Sequence, residues 1–293
     1  MKKDVQDVKG VESMVLRKLS LDEHIRTRQL WEEIFKEDTS EFLDYYYSEK
    51  AKDNEIYVIE DHGEIVSMLH LNPYQMRIGN EIYPTHYIVA VATKEQYRKQ
   101  GLMRQLLNHA MQVMKDRGEL FTFLMPASEA IYKPFGFRFI YEQKQGELTG
   151  IKPEDTTLVW EEATKEDCHE IATFSNKKLQ DYQVVTWRGT AYYQTLLSEL
   201  ESEDGGILLA RRNGELQGVF CYACDKEVVM REPLCHSEQE LRYAIYRLTG
   251  SETEKAKCIG YGAERKPIIM AKVLNPNLDI DLQKAEVFIN EVV

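Results

Sequence analysis

Between Tyr87 and Met125 the sequence changes period twice, and this limits the fold more than any other stretch. Tyr87-Ile88-Val89-Ala90-Val91-Ala92 is an unbroken apolar run of strand type, followed by the charged loop Thr93 to Gln100. From about Lys99 to Arg117, Leu102, Met103, Leu106, Leu107, Ala110, Met111 and Met114 recur at helical spacing, with Gly118 as the stop. Leu120 to Met125 is a second short apolar run, ended by Pro126. Strand, helix, strand in this order predicts a parallel pair joined by a crossover helix, which places the chain among α/β folds.

The junction itself offers chemistry. A helix start presents unpaired backbone N–H groups and the positive end of the helix dipole. Gly101 permits close backbone approach, and Arg98, Lys99 and Arg104 add positive charge. These residues suit a pyrophosphate cradle, and they equally suit a solvated helix start carrying ordinary surface bases.

Around this unit, Leu16 to Lys36 reads as mostly helical, with Leu21, Ile25, Leu30, Ile34 and Phe35 as its apolar stripe and Ser20 as N-cap. Glu41 to Lys50 reads as a second helix carrying Tyr45, Tyr46 and Tyr47. These aromatics, with Phe42, suit either a substrate pocket or a half-buried domain seam. Hairpins are predicted across Asp61-His62-Gly63-Glu64, Gly79-Asn80 and Asn213-Gly214. Asn72-Pro73-Tyr74 reads as a bend in a strand. A short helix around Ser128 to Tyr132 precedes a strand at Phe137 to Glu142, and Ser237-Glu238-Gln239-Glu240 is a capping box.

With 293 residues the chain is near the upper limit for one core, so two domains are expected, with a boundary near Thr149-Gly150-Ile151-Lys152-Pro153. The net charge of −12 argues against nucleic acid as a partner. No apolar run is long enough for a membrane helix, and the N-terminal residues lack the apolar stretch of a signal peptide. Five scattered cysteines suit a reducing, cytoplasmic setting. Cys221 and Cys224 have C-x-x-C spacing without a second pair, so no metal is expected.

Arg98-Lys99-Gln100-Gly101-Leu102-Met103 resembles the acetyl-CoA signature of the GNAT superfamily of N-acetyltransferases, with Met103 where a small residue is usual. Ser128-Glu129-Ala130-Ile131-Tyr132-Lys133-Pro134-Phe135-Gly136-Phe137 is similar to a stretch of the enhanced intracellular survival acetyltransferases. Trp187 to Tyr193 and Val228 to Leu234 look like that family's second, degenerate lobe. Lys266 to Val273 and Val287 to Val293 look like the two ends of its sterol-carrier-like third domain, whose interior is missing here. The resemblance implies an α/β (α+β) fold of tandem acetyltransferase-like lobes, each a mixed central sheet flanked by helices. It implies a catalytic domain over 1–149, a degenerate lobe over 150–263 and a short C-terminal remnant over 264–293.

By the same resemblance the chain is an acetyl-CoA-dependent N-acetyltransferase acting on a primary amine of a small molecule or peptide by direct attack in a ternary complex. The alternative is a non-catalytic CoA-binding or scaffold protein on the same fold. Acetyl-CoA, as co-substrate, falls to Val89, Val91, Arg98, Lys99, Gln100, Gly101, Met103 and Arg104. Tyr132 is the implied acid for the departing thiolate, although by residue type alone a packed helix-turn tyrosine is the commoner reading. The carboxylate of Val293 is the implied base, against the alternative of a frayed terminus. Glu129 and Glu41 are fallback bases, and Glu37, Asp38 and Glu41 are possible attractors of a cation. The acidic balance favours a cationic acceptor, and the family's assemblies imply a homo-oligomer.

Overall fold

A computed structural model describes residues 14–154, 157–224 and 226–291. The first part of the chain runs β1 (Met14–Lys18), a 3-10 turn at Leu21–Thr27, α1 (Arg28–Ile34), α2 (Ser40–Ser48), β2 (Glu55–Asp61), β3 (Glu64–Ile78), β4 (Glu81–Thr93), α3 (Leu102–Asp116), β5 (Phe121–Leu124), α4 (Glu129–Tyr132) and β6 (Arg138–Thr149). The second continues β7 (Leu158–Glu162), α5 (Cys168–Lys178), β8 (Val184–Thr186), α6 (Thr190–Ser202), β9 (Gly206–Arg212), β10 (Glu215–Cys224), β11 (Val228–Leu234), α7 (Glu238–Thr249), β12 (Lys255–Ile259), β13 (Glu264–Val273) and β14 (Val287–Phe288).

The strands join one mixed sheet in the order β1-β2-β3-β4-β5-β13-β6-β12-β11-β10-β9-β7, with β8 pairing β3 and β14 off this path. The expected parallel pair is β4 with β5. The three hairpin turns also form. At each, the two linking residues or the glycine take the left-handed region, as in His62 (φ 50°) with Gly63 (φ 83°) and Asn213 (φ 53°) with Gly214 (φ 82°).

Alternation along β2 shows how the sheet is covered. Tyr57 and Ile59 face the core that holds Leu102, Leu106, Leu107, Ala110 and Met114 of α3. Ile56 and Val58 face the opposite core, with Trp31 of α1 and Phe42, Leu43 and Tyr46 of α2. A strand buried on both faces sits between layers, as α/β architecture requires. In the second part α7 packs Leu241, Ala244 and Ile245 against Phe220, Met230 and Ala256.

Two expectations are corrected. The segment 16–36 is helical over 21–34, but it opens on Met14–Lys18, an edge strand on β2, and the chain enters a true α-helix only at Arg28. Leu21 and Ile25, expected in the buried stripe, are 66% and 53% exposed because they fall on the 3-10 turn, whose tighter period breaks the stripe. Asn72-Pro73-Tyr74 is not a bend but the interior of β3. Pro73 is tolerated there because β2 pairs β3 only up to Leu71 and β8 pairs it only from Met76, leaving residues 72–75 without a strand on that edge.

Within 264–293, the expected C-terminal remnant, the first ten residues form β13, which is inserted between β5 and β6, antiparallel to both. Ile268-Ile269-Met270-Ala271 is a four-residue buried run, which needs cover on both faces and obtains it only inside a sheet. No helix among the described residues is long and apolar enough to cross a membrane.

Candidate active site

The site is built where β4 leaves its neighbours. Opposite Leu69 of β3, β4 carries two residues, Ala90 and Val91, because the register slips between Met68/Ala92 and His70/Val89. Ala90 has φ 52°, the left-handed region that a β-bulge can impose on an alanine. On its other edge β4 shares a single paired position with β5, Tyr87 with Phe123, whose rings stack at 5.0 Å. Beyond Tyr87 that edge has no strand partner among the described residues. Ala90 and Ala92 are buried towards α1 and α2, whereas Val89 and Val91 are half-buried.

The loop after β4 ends at Gly101, φ 83°, the N-cap of α3, and Lys99 is also left-handed at φ 62°. A Cβ placed on Gly101 meets nothing within 4 Å, so the space beside the helix start is open. Arg98, Lys99 and Gln100 are exposed; Arg98 Nε donates to the Thr93 carbonyl (3.3 Å) and Gln100 Nε2 to that of Gln96 (3.2 Å). Met103 is half-buried against the core and so turns away from the open side. The Arg104 guanidinium lies 5.2 Å from the Phe135 ring centroid. Thus the two sequence motifs touch.

Tyr132 ends α4 at 7% exposure, edge-on to Phe137 at 6.0 Å. Its hydroxyl has no hydrogen-bond partner among the described residues, and burial pushes its pKa up to about 12. Tyr132 also bears electrostatically on Tyr87, the residue where β4 and β5 part.

A cavity of about 570 Å³ opens between the two halves of the chain. Its walls are the end of α2, β3 at Pro73, Tyr74 and Gln75, α6, and β10 and β11. Residues after β14 close it with Asn290 and Glu291. Arg188, 1% exposed, meets Glu232 through both guanidinium ends, Nη2 donating to Oε2 at 2.9 Å. The Tyr192 hydroxyl donates to Glu291 Oε2 (2.9 Å), and Arg188 Nη2 lies 3.9 Å from Glu291 Oε1. Tyr45 donates to Glu199 (3.2 Å), and Lys50 Nζ donates to the Tyr74 hydroxyl (2.8 Å).

Burial sets the electrostatics here. It raises the Glu199 carboxyl above its ordinary range against the pull of Lys50 and Arg231. It raises Glu291 against the pull of Arg188, and it lowers Lys50 against Glu199, Glu291 and Asp53. Tyr74 at the cavity wall packs edge-on to Tyr87 at 6.2 Å, so one ring separates the cavity from the point where β4 and β5 diverge.

The residues expected from sequence therefore fall in two connected places, the β4 edge with the α3 start, and Tyr132. Val293 lies outside the described residues. Glu129 is exposed and paired with Lys133 (3.1 Å), and Glu41 and Glu37 are exposed; none of them lines the cavity. Asp38 instead accepts from Trp31 Nε1 (2.7 Å). Of the three tyrosines on α2, Tyr45 and Tyr46 are buried, and Tyr45 crosses the seam to Glu199.

Sequence reasoning missed Lys50, Arg188, Glu199, Glu232 and Glu291. A faint signal exists for Glu199: with Tyr192 and Leu196 it occupies positions i, i+4 and i+7 of α6, an acid on an otherwise apolar stripe. For Arg188, Glu232 and Glu291 the signal is that each lies in one of three separated segments bearing the family likeness, 187–193, 228–234 and 287–293. The structure brings those segments to one buried charge cluster.

Comparison with known proteins fits this geometry. Residues 15–140 match the family described as "Acetyltransferase (GNAT) domain". No curated protein matches the sequence. Among solved structures, one described as a "Probable N-Acyltransferase" from Enterococcus faecalis V583 has a TM-score of 0.75 at 14% identity, over 89% of this chain and 73% of that one. Eis1 from Mycobacterium abscessus has a TM-score of 0.63 at 11% identity, over 89% and 73% of the two chains. A tandem GNAT protein from the clavulanic acid biosynthesis pathway has a TM-score of 0.60 at 11% identity, over 90% and 99%. The chain thus has the fold of these solved structures, and its match to the acetyltransferase (GNAT) family falls on residues 15–140.

Proposed function

We propose that the chain moves the acetyl group of acetyl-CoA to a primary amine held in the cavity between its halves, by direct attack in a ternary complex. The observation that carries this reading is the contact of Tyr74 with Tyr87, which joins the cavity wall to the parting of β4 and β5. Bound acetyl-CoA supplies an activated thioester. The open helix start at Gly101, with the backbone of Gln100 and Met103 and the bases Arg98, Lys99 and Arg104, suits its phosphates. The unpartnered edge at Val89 and Val91 offers backbone N–H groups to the acyl arm and to the developing oxyanion.

Proton handling falls to two places. With a pKa of about 12, Tyr132 keeps its proton throughout the physiological range. An ordinary thiol has a pKa near ~8.5, so full transfer from Tyr132 is uphill in water. Tyr132 therefore serves first as a hydrogen-bond donor to a thiolate whose basicity rises in the same apolar surroundings. The amine needs the opposite help, since an ordinary ammonium of pKa ~10.4 is neutral about once in a few thousand molecules at pH 7. Val293 is the base proposed from the family likeness. Glu291 and Glu199, lifted by burial, are the carboxylates of the described residues placed to accept that proton. Five carboxylates line the cavity, Glu49, Asp53, Glu199, Glu232 and Glu291, against the three cations Lys50, Lys52 and Arg231, and this balance favours a cationic acceptor.

Calorimetric titration with acetyl-CoA, followed by a CoA-release assay over a panel of amines, tests this. Saturable binding and amine-dependent release are expected. Absence of acetyl-CoA binding overturns the reading; binding without release over the panel leaves the non-catalytic CoA-binding alternative.

A further inference from the structure

The charges of the cavity do not all answer one another. Arg188 and Glu232 are spent on a two-point contact. Of the other charges lining the cavity, Arg231 is paired with Glu203, Lys52 with Glu49, and Asp53 is exposed at the rim; Lys50, Glu199 and Glu291 remain inside it, each held chiefly by a neutral tyrosine. Lys50 Nζ donates to Tyr74 and stands 4.5 Å from the centroid of that ring, with no ion pair among the described residues. Glu199, 7% exposed, takes the Tyr45 hydroxyl and likewise has no ion pair among them. Glu291, 6% exposed, takes the Tyr192 hydroxyl on one oxygen, while Oε1 has no hydrogen-bond partner and Arg188 is no nearer than 3.9 Å.

One cation and two anions, enclosed in one cavity without full partners, define a ligand of the reverse pattern: one anion and two cations. We infer that the amine acceptor is a diamino carboxylic acid, its carboxylate met by Lys50 and its two amino groups by Glu199 and Glu291. The inference rests on the acetyl-transfer reading and narrows its acceptor. Burial supports it, since each of the three groups is pushed towards its neutral form and a ligand of opposite charges restores all three. In the reaction one ammonium gives its proton to the facing carboxylate and the freed amine forms the C–N bond. The C–S bond breaks as the nitrogen loses its second proton, the departing sulfur takes one proton through Tyr132, and the proton held by the carboxylate is the one released overall. The second ammonium and the carboxylate stay bound and fix the orientation.

A site built this way discriminates by what a ligand lacks. A diamine leaves the Lys50 charge unmatched, and an amino acid with one amine leaves a buried carboxylate unmatched; a site holding buried polar groups rejects such analogues strongly. The test is the CoA-release rate of the full chain with L-lysine, L-ornithine, cadaverine and 6-aminohexanoate. The better diamino acid is expected to exceed both analogues by about tenfold or more in kcat/KM. Lys50→Met is expected to shrink the ratio of diamino acid to diamine about tenfold, and Lys50→Arg to recover part of it. If cadaverine equals or exceeds both diamino acids, or if the ratio survives Lys50→Met, the inference is overturned while acetyl transfer stands. If no amine in a broad panel is acetylated, the acetyl-transfer reading fails and the inference with it.

Discussion

The guanidinium of Arg104, two residues into α3, stands 5.2 Å from the centroid of the Phe135 ring. Arg104 belongs to the glycine-started helix and Phe135 to the 3-10 turn that follows Tyr132, so the contact fixes the proposed phosphate cradle against the segment that carries Tyr132. A cation over a ring at an exposed position contributes about 0.5–1 kcal/mol. Phe135→Leu should therefore raise the KM for acetyl-CoA roughly two- to fivefold with kcat less affected, as read by CoA release. An unchanged KM would show that the stack does not position the cradle.

Tyr132→Phe removes only a hydroxyl with no hydrogen-bond partner among the described residues, so the fold should not notice. Turnover should, by roughly 10²-fold in kcat, with little change in the KM of the amine. Full activity in the variant would remove Tyr132 from the chemistry.

Gly101→Ala forces a side chain into the left-handed region at φ 83°, at a cost of about 1–2 kcal/mol. The Cβ meets no protein atom, so any effect beyond that strain reports a ligand approaching from the open side. Calorimetry should show acetyl-CoA binding weakened about tenfold or more, with the melting temperature shifted only as the strain demands.

Arg188 is held between Glu232 and Glu291 in a fully enclosed position. Removing one partner of a buried pair strands the other, so Arg188→Met should destabilise the chain by about 3–5 kcal/mol. Combining it with Glu232→Leu should return most of that loss in urea denaturation. If the double variant is no more stable than the single one, packing rather than charge governs the cluster.

Glu199 gives a stability effect with a definite sign in pH. Burial raises its pKa in the folded chain above the unfolded value, so its contribution is fully present below an unfolded pKa of about 4.3. That contribution is lost as pH rises through the folded value. Glu199→Gln keeps the neutral form at every pH. The variant should be more stable than the parent at pH 8 and equal to it near pH 4, as followed by thermal melts. A difference that does not change with pH would contradict this assignment.

Local periodicity and turn chemistry made much of the fold legible from sequence alone. The β4–α3–β5 unit, the three tight hairpins and the Gly101 helix start follow from residues within a few positions of one another, where sterics and hydrogen bonding act directly. The position of β13 does not. Its apolar run announces a strand buried on both faces, but only the assembled sheet shows that the vacant place lies between β5 and β6. The break in pairing along β3 at residues 72–75 is likewise a product of where β2 ends and β8 begins.

The sequence by itself determined the chemistry available: a glycine-started helix after a β-strand, bases around it, and a tyrosine in a second motif. Tertiary structure decided which charges meet. Lys50, Arg188, Glu199, Glu232 and Glu291 look like ordinary surface residues in the chain. They come together only because packing of the two halves gathers them in and beside one cavity, where Arg188 and Glu232 answer each other and burial makes any unmatched charge costly.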